Sequence, residues 1–272
     1  MLKRNITVII LTALVFFSAV FLGVSTVFRV SEVAIVATTV SSQAQGEVEQ
    51  LQRELDKAYD KQSIFSSNED LAKQIIARFP YFRITGFEKD YPNRLVISLS
   101  EDEEVYALPC NNEQVEYFIL GADGTILEIR QDYTNRSDTT KQRKNLLITG
   151  LDVVGEKGGL PVGDTSFAYT LAFCDKVNEL LGGIQRNITS VEVVKGGSAE
   201  DTIFLRLTTF EGVKMYIRNP SQRTDDKAIV AIEKYFSLSD SARTTGMIVV
   251  LDTNGEPSVL YSAKDEFSSI IG

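Results

Sequence analysis

Polypeptide chemistry near neutral pH most often begins with histidine, and this 272-residue chain has none. Ser-His-Asp arrangements, imidazole general bases and most zinc sites are thereby excluded, since each needs a group titrating near neutrality or an imidazole ligand. The two cysteines, Cys110 and Cys174, lie too far apart for a Cys-x-x-Cys redox pair. Cys174 falls on the apolar face of a predicted helix and reads as a buried free thiol; whether the two cysteines pair is left open by the sequence. Carboxylates remain. Glu101-Asp102-Glu103-Glu104 could gather calcium through oxygen ligands, but consecutive acids alternate faces in a strand, and ion loops space their ligands and include glycine. A solvated interdomain linker is the plainer reading. Gly150-Leu151-Asp152-Val153-Val154-Gly155-Glu156-Lys157 echoes a phosphate loop, yet Glu156 sits where lysine is required. Neither Ser-x-x-Lys nor Gly-x-Ser-x-Gly occurs, so acyl-enzyme chemistry lacks its nucleophile motif. A glycan hydrolase using paired carboxylates is the catalytic alternative, without a pair the sequence can point to. The expectation is no catalytic, cofactor-binding or metal-binding residue and no small-molecule substrate.

A formal charge of −9 argues against nucleic acid as a partner, because such binding rests on Lys and Arg displacing counterions from phosphates. With 43% hydrophobic and 24% charged residues the chain is a folded one, and its length allows two domains.

The element pattern divides the chain. No charged residue stands between Arg4 and Arg29, and residues 6–28 read as a single transmembrane helix, long enough for a hydrocarbon core of about 30 Å. Lys3 and Arg4 keep residues 1–5 as a short cytoplasmic end. This is the single-pass type II arrangement, with the C-terminus extracellular or periplasmic. Residues 29–101 then read as strand, helix, helix, strand, strand. Glu32 to Ala37 alternates with period two; Val48, Leu51, Leu55 and Ala58 share a helix face; a second helix opens at Ser67 and stops at Pro80. Phe82–Phe87 and Leu95–Leu99 form a hairpin across Asp90-Tyr91-Pro92-Asn93. Residues 102–262 become mostly antiparallel strands interrupted by two helices, about Phe167–Leu181 and Thr224–Phe236, the latter with Ala228, Ile232, Tyr235 and Phe236 inward. Asp132–Lys144 reads as an exposed loop, and 263–272 as a C-terminal tail. The fold class expected is α+β. The last hairpin pairs Met247–Leu251 with Pro257–Tyr261; because proline is tolerated mainly at a sheet margin, the return strand is expected at an edge, either blunted by Pro257 and the charges of Lys264 and Asp265 or left open for a partner. Met247, Val249, Leu251, Ser258, Val259, Leu260 and Tyr261 are the candidate partner-binding residues.

This order of parts resembles the FtsQ/DivIB family of bacterial cell-division proteins. The resemblance is carried by Phe28-Arg29-Val30-Ser31-Glu32-Val33 after the apolar run, Asp70-Leu71 to Phe79-Pro80-Tyr81, Tyr91-Pro92-Asn93-Arg94-Leu95-Val96-Ile97, Phe118-Ile119-Leu120-Gly121-Ala122-Asp123-Gly124-Thr125-Ile126, and Val213 to Ile217 after Glu211-Gly212. It departs from the family at Thr38-Thr39-Val40, where a Gly-Asn pair is usual, and at Asp102 and Glu104, which stand where arginine and proline are common. The resemblance implies that residues 29–101 are a POTRA (polypeptide-transport-associated) module. It implies a non-catalytic membrane scaffold at the division septum that binds FtsL/FtsB-like coiled-coil proteins and, through them, influences the septal wall synthase. An exported POTRA-type chaperone or transport-associated module is the alternative.

Overall fold

The computed structural model describes residues 2–110, 116–138, 140, 143–196 and 202–267, with side chains from Leu11 onward. Among the described residues the chain forms a mixed α/β structure with twelve strands, six α-helices and one short 3-10 helix, in two compact units, 1–102 and 103–272.

The expected membrane-spanning helix over 6–28 is corrected. Helix α1 runs Leu2–Val27. Among the described residues no helix is long and apolar enough to cross a membrane. Residues 6–10 of the expected span lie outside the described side chains.

The first unit continues with β1 (Glu32–Thr38), α2 (Ser42–Tyr59), α3 (Glu69–Ile76), β2 (Phe82–Asp90) and β3 (Arg94–Glu101). The strands form one sheet in the order β1-β3-β2, β1 parallel to β3 and β2 antiparallel to it. Leu51 and Leu55 of α2, Ile75 and Ile76 of α3, and Leu95, Ile97 and Leu99 of β3 share its core. Helix α3 begins at Glu69, two residues later than the Ser67 expected, with Asn68 as its N-cap accepting from Leu71 N–H, and it ends at Ile76, before Phe79. The acidic run holds the boundary between the two units, between Asp102 and Glu103, but two of its four acids, Glu101 and Glu104, are buried instead of solvated. Glu101 accepts from Val40 N–H at 2.7 Å, Ser41 N–H at 2.8 Å and the Ser41 hydroxyl at 2.5 Å, so its carboxylate caps the N-terminus of α2, where the helix dipole favours negative charge.

The second unit is a nine-stranded sheet with α4 (Ser166–Leu181), α5 (Thr224–Ser237) and the short α6 (Asp240–Arg243). Its strands are β4 (Tyr106–Pro109), β5 (Tyr117–Leu120), β6 (Ile126–Arg130), β7 (Leu146–Thr149), β8 (Ile188–Lys195), β9 (Ile203–Thr209), β10 (Lys214–Arg218), β11 (Met247–Thr253) and β12 (Glu256–Ser262). Their order is β12-β11-β10-β9-β8-β7-β4-β5-β6. The helices do more than interrupt an antiparallel sheet: α4 joins the parallel pair β7 and β8, and α5 joins the parallel pair β10 and β11. Parallel neighbours need such crossovers. Both crossovers step the same way across strands that run in one direction, so right-handed connections put both helices on one face. Phe173, Cys174 and Val177 of α4 and Ala228, Ala231 and Ile232 of α5 pack there against Ile148, Val191, Leu205, Met215 and Ile248. Phe236, expected inward, is 54% exposed.

Glu104 is the second buried acid of the run. Its side chain is 0% exposed and takes a bidentate pair from Arg130 at 2.8 and 2.9 Å, with further bonds from Asn145 Nδ2 and Arg136 N–H, each at 2.9 Å. The described residues between Asp132 and Lys144 form no named strand or helix, and they are tied down: Asn135 is buried and donates to the Glu104 carbonyl and to Asn145.

Candidate protein-binding edge

The last hairpin turns at Asn254 and Gly255, both with positive φ (54° and 81°). That is the type I′ geometry whose twist matches paired strands. Thr253 and Glu256 form the pair that closes the turn. In a two-residue hairpin the closing pair is hydrogen-bonded and pairs then alternate. Asp252/Pro257, Val250/Val259 and Ile248/Tyr261 are therefore the non-bonded pairs. Pro257 falls where no ladder bond is needed, which is why the strand tolerates it. By the same alternation Val259 and Tyr261 turn their N–H and C=O groups away from β11. β12 is the last strand of the sheet, and among the described residues those groups have no further strand to meet.

The hairpin is gripped from the helix side at three points. Lys227 of α5, 0% exposed, donates to the Arg218 and Asn219 carbonyls and to Asp252 Oδ2 at 2.8, 3.0 and 2.9 Å. Arg223 at the head of α5 donates to the Gly255 carbonyl at 2.6 Å and to Glu256 at 2.5 Å. At the other end the Tyr261 hydroxyl donates to the Ala242 carbonyl at 3.1 Å. Gly246 leads into β11 with φ +88°, and a Cβ there would lie 2.2 Å from the Ser262 carbonyl oxygen, so only glycine allows this approach. An edge held this firmly loses little freedom when a partner adds to it.

The seven candidate residues do not share one surface. Val259 and Tyr261 pack toward the helices. Met247, Val249 and Leu251 face the other way, with Met247 and Val249 buried in a small cluster of Phe204, Tyr216 and Phe267. Leu260 is opposite Val249 and Ser258 opposite Leu251, so both stand on that outer face, and Leu260 is 60% exposed. An added strand would thus read Leu260 and Ser258 on one side, while Val259 and Tyr261 contribute main-chain groups and their own packing. Sequence reasoning missed Lys227, Arg223 and Phe267. A lysine on the inward stripe with Ala228, Ala231 and Ile232 was the available signal for the first.

Burial pushes both thiols up; Cys110 and Cys174 are free, the latter fully buried. Tyr106 donates to Asp175 at 3.3 Å, and burial raises both groups, the carboxyl against the lowering effect of that bond. Among the described residues no group of three or more His, Cys, Asp or Glu side chains could hold a metal ion.

No known protein family matches this chain, and no curated protein matches its sequence.

Proposed function

We propose that the chain is a non-catalytic scaffold whose β12 edge receives a strand from a partner protein. The observation that carries this reading is the state of that edge: Pro257-Ser258-Val259-Leu260-Tyr261-Ser262 has no charged residue, no bulge in its register, and outward main-chain groups at Val259 and Tyr261. Proteins usually protect such edges. Strand addition supplies main-chain hydrogen bonds for affinity and alternate side chains for specificity. The resemblance to the FtsQ/DivIB family supports the choice of partner, and the strand-helix-helix-strand-strand order of the first unit is compatible with a POTRA module. On this reading the partners are FtsL/FtsB-like coiled-coil division proteins, the septal wall synthase is reached through them, and the site of action is the division septum on the outer side of the cell membrane.

The test is co-purification of the small division proteins with the tagged chain. Val259→Pro, or termination after Asp252, should abolish their recovery while circular dichroism shows a retained fold. Undiminished recovery with either variant would move the binding site elsewhere.

A further inference from the structure

Among the described residues of the second unit, both crossover helices pass on the inner face of the nine-stranded sheet and none lies on the outer face. Yet Phe204, Tyr216, Met247 and Val249 are buried there, and a short segment beyond β12 covers them. Phe267, 9% exposed, stacks on Tyr216 with ring centroids 3.8 Å apart and planes 10° from parallel, and meets Phe204 edge-on at 5.0 Å. Two residues earlier, Asp265 accepts from Lys214 Nζ at 2.6 Å and from the Tyr216 hydroxyl at 3.1 Å. Burial raises the Asp265 carboxyl, but these bonds outweigh it and hold the group ionised below its ordinary range.

We propose that this face is a binding site for an acidic-x-aromatic segment of a partner protein, and that Asp265-Glu266-Phe267 is its resident substitute. The chemistry of the site is specific. Tyr216 and Phe204 form an aromatic floor and wall, and Lys214 on the same strand as Tyr216 supplies a cation at the distance of a carboxylate two residues before the ring. Of the tail that fills it, Ala263 and Lys264 are exposed, the Lys214–Asp265 pair is about one-third exposed on both sides, and Phe267 is the one buried side chain among the described residues. A tethered occupant acts at a high effective concentration, so it screens out weak ligands and yields to a partner with the same contacts. The inference uses the sheet face and not the β12 edge, and it stands or falls independently of strand addition.

A labelled synthetic peptide of residues 262–268, Ser-Ala-Lys-Asp-Glu-Phe-Ser, is the probe, read by fluorescence anisotropy against the full chain. The Phe267→Ala chain, and a chain ended at Ala263, should bind it at least about tenfold more tightly than the unaltered chain, because the internal competitor is weakened or gone. Replacing Phe with Ala in the peptide, or adding Lys214→Glu to the Phe267→Ala chain, should each lose at least about tenfold. Equal binding by altered and unaltered chains, or indifference to the peptide's Phe, would overturn the proposal. So would unfolding of both variants, which would make the tail a part of the core. Dimerisation of the unaltered chain by tail exchange would also overturn it, by making a second copy the occupant.

Discussion

The two edges of the nine-stranded sheet are treated in opposite ways. β6 is short, carries Glu128 and Arg130, and has both main-chain groups of Ile126 taken: its N–H by the Gly159 carbonyl and its C=O by the Gly158 N–H, each at 2.8 Å. The loop that does this is fastened by Asp164, which accepts from Lys195 Nζ at 2.5 Å and from Ser166 N–H at 2.8 Å. β12 is longer, uncharged after Glu256, and covered by nothing along Val259 to Tyr261 among the described residues. The outer strands of the first unit repeat the guarded pattern. β2 has a register shift between Ile84 and Gly86 and carries Arg83, Glu88, Lys89 and Asp90, and on β1 the Val33 carbonyl is taken by Gln52 Nε2 at 2.5 Å. Bulges, charges and caps are the usual means of blunting an edge. On β12 the only such devices are Glu256 and Pro257 at its start, and the stretch from Ser258 to Ser262 has neither charge nor bulge.

The largest effect should come from undoing the closed edge. Glu104→Ala removes the acceptor of the buried Arg130 pair on β6 and leaves Asn145 and the Arg136 amide without it, so a loss of about 3–5 kcal/mol is expected in urea unfolding. A loss below about 1 kcal/mol would mean that the pair does not secure β6. Next is Asp252→Ala, which strips Lys227 of its carboxylate partner beneath the open edge. Two carbonyls still accept from the ammonium, so the expected cost is about 3 kcal/mol, the low end for a broken buried pair. The same measurement decides it, with Lys227→Met as the companion in which neither charge remains buried. Val259→Pro should be nearly silent in stability, within about 1 kcal/mol, because the lost N–H makes no ladder bond; a larger loss would show that this N–H is bonded within the fold.

The smallest effect is one of pH. Burial pushes the Asp164 carboxyl up, but the ion pair with Lys195 and bonds from Ser166 and Asp152 outweigh it and lower it from 3.8 to about 2. As pH falls the unfolded chain takes this proton first. The stabilisation is therefore complete above 3.8 and is lost as pH falls through about 2. Urea midpoints compared above and within that window should fall for the unaltered chain. They should fall less for Asp164→Asn, and parallel curves would remove Asp164 from the fastening of the β6 loop.

Much of this contrast could be read from residue order. Alternation and turn residues located the Met247–Tyr261 hairpin, and Pro257 announced an edge, because each is a local signal of period or backbone geometry. The helix-side packing of α5 was legible apart from Phe236. What escaped was long-range. Nothing local says that Glu101 caps a helix sixty residues earlier, that Glu104 meets Arg130 and Asn145, or that Phe267 returns to cover Tyr216. Four adjacent acids look like a solvated run until their partners are in place. The parallel pairings of β7 with β8 and β10 with β11 depend on crossovers, which a strand-by-strand reading does not see.

The central claim is that a partner strand meets β12 and not β6. Photo-crosslinking groups placed singly at Leu260 and at Glu128 in the full chain, activated in dividing cells, test it directly. The account predicts adducts with the small coiled-coil division proteins from position 260 and none from position 128. Adducts from 128, or their absence at 260 when the chain is folded and present at normal level, would contradict it.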